Sequence, residues 1–92
     1  MLSKRAATAI CRSIAANIRR ERLRRGWTQE QLGETADLAP RYIQRIETGR
    51  ISPRAVVVAT IADALGVDPG KLFRPAKLTT RPEGYPRNRP RT

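Results

Sequence analysis

A chain of 92 residues makes one domain with a modest core. Lys and Arg number 19 against 8 Asp and Glu, and the net charge of +11 directs attention to acidic partners, nucleic acid before anionic membrane. With no His, one Cys, no Gly-rich phosphate loop and no clustered carboxylates, neither an enzyme nor a bound metal or cofactor is expected. Sixteen of the nineteen basic residues are Arg, the side chain that forks onto phosphate or a guanine edge.

The first helix is marked by Ile10, Ile14 and Ile18, recurring every four residues, with Leu23 extending the stripe and Gly26 stopping it. Residues 1–11 read as an extension that is helical and continuous with this helix, ahead of a domain over 12–73. Cys11, beside Ile10 and Ile14, reads as a small packed hydrophobe, and a lone Cys suits a reducing cytoplasm. Export is not expected: the apolar run after Lys4-Arg5 is too short for a leader and Arg12 interrupts it. Nothing approaches membrane-spanning length.

Thr28 caps a second helix over about 28–36, with Gln31 completing a capping box. Leu32 and Ala36 point inward, and Asp37 interrupts. A third helix runs over about 40–48, with Pro40 at a favourable first position and Gly49 as the stop. In it Ala39, Ile43 and Ile46 gather on one side, while Arg41, Gln44, Arg45 and Thr48 share the other. Ser52-Pro53 opens a fourth helix in the same manner, burying Val58, Ile61, Ala62 and Leu65 before Gly66. Asp68-Pro69 opens a last short turn ending near Leu72-Phe73. From Arg74 to Thr92 the chain holds four of the seven prolines, six basic residues and almost nothing to bury. This basic Pro-rich tail is expected to be disordered or extended, either as a solubilising terminus or as an arm that adds phosphate contacts. The fold class is all-α: a compact five-helix bundle.

Several spaced features occur in order between Ile14 and Phe73. They are a basic first helix ending in Gly-Trp, Thr-Gln-Glu before Leu, Ile-x-x-Ile-Glu-x-Gly, a Pro-initiated fourth helix, and Ile-Ala-x-Ala-Leu-Gly-Val. This stretch resembles the helix-turn-helix family of phage-repressor and xenobiotic-response-type regulators. The resemblance implies a five-helix domain that lays its third helix in the major groove of double-stranded DNA. The residues agree on their own terms. Arg41 and Arg45 lie one turn apart, so both forks can meet base edges, guanine above all, and Gln44 beside them suits adenine or a phosphate. A good bidentate contact discriminates by roughly 1–3 kcal/mol.

Thr28 and Gln29 stand where unpaired backbone N–H groups favour an anion. Thr28 reads first as a cap and second as a contact, and the resemblance makes Gln29 a phosphate contact. Thr48, Arg50 and Arg54 complete the phosphate-contacting set, with Arg50 and Arg54 flanking the groove as clamps. Tyr42 lies at the margin of that face, where packing on the second helix and a phosphate contact are both open. Glu47 opposes the helix dipole near a C-terminus and calls for a cation. Arg22 occupies the family position that supplies one, which implies an Arg22–Glu47 ion pair joining the first and third helices. Gly33 fits a family position that needs a small residue between the second and third helices. Asp37 stands where Gly is usual, at a turn that often needs positive φ.

Related regulators dimerise so that two recognition helices meet successive groove faces about 34 Å apart. A homodimeric transcriptional regulator, repressing from an inverted-repeat operator, is therefore the expectation, with Val56, Val57 and Phe73 as candidates for the subunit contact. The alternative is the antitoxin of a toxin–antitoxin pair, gripping a toxin protein through Arg74–Thr92 or Ser3–Cys11. Nonspecific single-strand binding is disfavoured because no aromatic lies on the outer face of Arg41–Thr48.

Overall fold

The computed structural model describes residues 1–78, and they fold as five helices: α1 (Lys4–Arg24), α2 (Gln29–Ala36), α3 (Pro40–Glu47), α4 (Ala55–Leu65) and α5 (Pro69–Leu72). The all-α, five-helix architecture expected from the hydrophobic spacing is the one observed. Ile14 and Ile18 from α1 meet Leu32, Ile43, Ile46, Val58, Ile61, Leu65 and Leu72 in one core, each fully buried or nearly so. Full burial of such side chains contributes about 1.5–3 kcal/mol apiece. Trp27, Leu38, Tyr42 and Val57 are half-buried against its edge. The stripe on α1 is shorter than its sequence pattern. Ile10 is 38% exposed because the first turns of this 21-residue helix run past the end of the bundle.

Local chemistry sets the helix ends. Ser3 caps α1 by accepting from Ala6 N at 3.1 Å. Thr28 and Gln31 close a reciprocal capping box on α2, with Gln31 N donating to Thr28 Oγ1 at 3.0 Å and Thr28 N donating to Gln31 Oε1 at 2.8 Å. At the end of α2, Asp37 adopts the left-handed conformation, φ 58 and ψ 45. Leu38 N then reaches back to the Gly33 carbonyl at 2.8 Å. This is the turn geometry glycine usually supplies, and Asp accepts it at a cost.

The α2–α3 turn depends on the missing side chain at Gly33. A Cβ there would lie 2.5 Å from the Leu38 carbonyl oxygen and 3.4 Å from Pro40 N, so any larger residue pushes the two helices apart. Pro40 occupies the first turn of α3, as its spacing implies. Pro53 does not play the same part in α4. Arg54 has extended backbone, ψ 151, which separates Pro53 from the helix, and the first helical residue is Ala55.

The start of the C-terminal segment takes the extended form, one of the two expected, and is bonded to the bundle. Asn17, buried in α1, donates from Nδ2 to the carbonyls of Leu72 (2.9 Å) and Arg74 (2.8 Å). Ser13 Oγ accepts from Ala76 N at 3.1 Å and donates to Ala76 O at 3.3 Å. Arg74–Leu78 is thus extended but strapped along α1, and the rest of the tail, 79–92, lies outside the described residues. Among the described residues no helix is long and apolar enough to cross a membrane.

Candidate nucleic-acid interface

The helical period of α3 divides its side chains between two environments. Ile43 and Ile46 are buried in the core, while Arg41, Gln44 and Arg45 are exposed on the opposite face. None of these three donates a side-chain hydrogen bond or joins an ion pair among the described residues. The face therefore carries two unneutralised guanidinium forks and one amide, with no part of the described chain laid across them.

The inner edge of α3 is fastened by its last residue. Glu47 is buried, and Arg22 Nε meets its Oε2 at 2.7 Å while Arg22 Nη2 donates to Oε1 at 2.9 Å. The remaining guanidinium nitrogen, Nη1, donates to the Trp27 carbonyl at 2.8 Å. Gln29 Nε2 adds a third donor to Glu47 at 3.2 Å. One carboxylate thus ties α1, the turn before α2, and α2 itself to the base of α3, and a charge that would oppose the helix dipole is fully compensated.

The other residues singled out in the sequence occupy varied settings. Thr28 uses its oxygen as the α2 cap, which leaves the hydroxyl proton free among the described residues. Gln29 is half-buried and partly engaged by Glu47, a contact the sequence reading did not assign. Tyr42 is half-buried and packs on the core. Thr48 donates its only hydroxyl proton to the Arg45 carbonyl at 2.6 Å and accepts from Arg50 N at 3.2 Å, so it shapes the loop leaving α3. Arg50 and Arg54 are exposed on that loop.

A groove runs beside α3, lined by Gln29, Gln44, Glu47, Thr48 and Arg50 together with Arg12 and Arg19 of α1. The two α1 arginines were not among the sequence candidates. Their spacing of seven residues, two helical turns, was the available signal. A second basic cluster lies around Glu21, another buried carboxylate. Arg25 Nη1 approaches it at 3.0 Å, and Arg24 and Lys71 at 3.4 Å. Burial alone would raise the Glu21 pKa. The hydrogen bonds from Arg25 and Lys71, with the charges of Lys71 and Arg24, outweigh it and hold the carboxyl below its usual range.

The helix-turn-helix domain family matches this chain over residues 13–73. An uncharacterized HTH-type transcriptional regulator of Sinorhizobium fredii is 30% identical over 66 residues, spanning 72% of this chain and 86% of that relative. The hypothetical transcription factor NHTF from Neisseria superposes with a TM-score of 0.71 at 29% identity, covering 75% of this chain and 79% of the other. The restriction-modification controller protein C.AhdI from Aeromonas hydrophila does so with a TM-score of 0.66 at 27% identity, covering 68% and 96%. These likenesses extend over the bundle that presents α3. The chain belongs to the helix-turn-helix domain family and is a DNA-binding transcriptional regulator of the xenobiotic-response type.

Proposed function

We propose that the protein is a homodimeric repressor that reads an inverted-repeat operator by inserting α3 in the major groove. The observation that carries this reading is the outer face of α3, where Arg41, Gln44 and Arg45 are exposed and unpaired among the described residues while Glu47 behind them is engaged by Arg22 and Gln29. Arg41 and Arg45 take guanine edges, and Gln44 takes adenine or an adjacent phosphate. Thr28, Gln29, Arg50 and Arg54 contact the backbone on either side, which positions the helix without distinguishing sequences. Thr48 shapes the loop leaving α3 at this surface, and Tyr42 packs on the core at its margin. The homodimer is supported by apolar surface at Val56 and Phe73, 75% and 47% exposed, on α4 and at the end of α5. A toxin-gripping role would call on Arg74–Thr92 or Ser3–Cys11, and the first five residues of the former are docked on the chain's own α1.

Selection of bound sequences from a random duplex pool tests the reading directly. The expected product is a palindrome with half-sites one helical turn apart. Arg41→Ala and Arg45→Ala should each relax base preference at one position of that product. Arg50→Ala and Arg54→Ala should weaken all sequences alike and lower the salt slope by about 1. Uniform loss in the first pair would overturn the assignment of α3.

A further inference from the structure

The groove beside α3 holds a basic nitrogen for which the described residues supply no acceptor. Arg19 Nε is buried and has no hydrogen-bond partner among the described residues. An unmade hydrogen bond from a buried, charged donor is costly, and an anion in the groove, meeting the part of the same guanidinium that lines it, would offset its unpaired charge. The acidic residue lining the groove cannot serve, because Glu47 already accepts from Arg22 and Gln29.

The approach of α1 to the end of α3 depends on Gly49. Its φ of 76 is left-handed, and a Cβ there would lie 3.3 Å from Arg12 Cα and 2.8 Å from Leu78 Cδ2. Arg12 therefore crosses the chain where α3 ends, two turns before Arg19 on α1. Arg50 enters the same groove from the α3–α4 loop, and Leu78 of the strapped segment lines it as well. Three guanidinium groups from two separate parts of the chain thus line one open groove, next to the exposed N-terminus of α2.

We propose that Arg12 and Arg19, together with Arg50, form a seat for a phosphate group, occupied by a backbone phosphate of the bound duplex, so that the DNA contact extends from α3 onto α1. This rests on the reading of α3 as the recognition helix. Arginine forks suit tetrahedral phosphate oxygens, and backbone contacts add affinity on every sequence. The same seat takes inorganic phosphate when DNA is absent, which gives a readout that needs no operator.

The test uses the full chain, the duplex selected from the random pool and a scrambled duplex of equal length. Arg12→Ala and Arg19→Ala are each expected to weaken both duplexes by a common factor of about three- to tenfold, and to lower the slope of log K against log salt by about 1. Base preference should not change. Melting curves guard against a folding defect. In a second arm, single phosphates of the selected duplex are replaced by uncharged methylphosphonates. Wild-type protein should lose affinity at the seated phosphate, while Arg19→Ala should lose no more there. In a third arm, inorganic phosphate should raise the wild-type melting temperature above chloride of equal ionic strength, and Arg19→Ala should abolish the difference. If wild type selects a palindrome but both variants keep its affinity and salt slope, the seat is refuted and the recognition helix stands. If wild type shows no preference among duplexes, the reading of α3 fails. A phosphate-specific rise in melting temperature would then support the seat for free phosphate alone, and its absence would refute the seat as well.

Discussion

Two basic regions of this molecule look alike in the sequence and differ in the structure. Around Glu21, the cations Arg24, Arg25 and Lys71 converge on one buried carboxylate and are each tied to it by an ion pair. Along α3 and its groove, Arg41, Arg45, Arg12, Arg19 and Arg50 have no acidic partner among the described residues, since Glu47 is consumed by Arg22 and Gln29. The first region holds α1 to α5, and its cations are committed to a carboxylate of the chain itself. The second has its charge available at the surface where a polyanion would dock. Net charge alone does not locate an interface; the distribution of carboxylates among the arginines does.

Four variants probe that contrast. The largest effect is expected from Arg22→Ala, which strands Glu47 in the interior. Destabilisation by about 3–5 kcal/mol, read from denaturant melts, would place this pair among buried ion pairs whose breakage leaves an uncompensated charge. Glu21→Gln should cost less, about 1–3 kcal/mol near neutral pH, because three partly solvated donors lose a charged acceptor. Its pH dependence has a definite sign. The folded pKa of Glu21 lies below the ordinary value of 4.5, so its contribution is complete above that value and is lost as pH falls through the folded pKa. The stability gap between wild type and Glu21→Gln should therefore close in acid. Lys71→Ala removes the most exposed link in this cluster apart from Arg24, and about 0.2–1 kcal/mol is expected. The smallest effect on stability belongs to Arg41→Ala with Arg45→Ala, within about 0.5 kcal/mol, because these side chains hold nothing together. A marked loss of stability in that double variant would erase the distinction between the two regions.

The parts legible from sequence were those set by neighbours a few residues apart. The capping box of Thr28 and Gln31, the two-faced α3 and the stops at Gly26 and Gly66 each follow from spacing within a turn or two. The pairing of Arg22 with Glu47 spans 25 residues, and it could be anticipated only because a carboxylate at a helix C-terminus demands a cation and the family places one on the first helix. Contacts without such a constraint stayed hidden. Nothing local announces that Asn17 and Ser13 hold the chain at residues 72–76, at separations of 55 to 63 residues, or that Lys71 turns toward Glu21. The orphaned Nε of Arg19 was invisible for the same reason: only the assembled groove shows that its acceptor is missing. Pro53 illustrates the opposite error, where a proline looked like a helix start because it resembled Pro40, and the extended backbone of Arg54 intervened.

The strap along α1 bears on where the protein can be cut. A fragment ending at Phe73 keeps every helix of the described residues, yet it deprives the Asn17 amide of the Arg74 carbonyl and Ser13 of both bonds to Ala76. It also uncovers Gly49 by removing Leu78. The smallest unit with these polar groups satisfied therefore reaches Ala76, three residues beyond the boundary that helix content alone would suggest, and covering Gly49 carries it to Leu78.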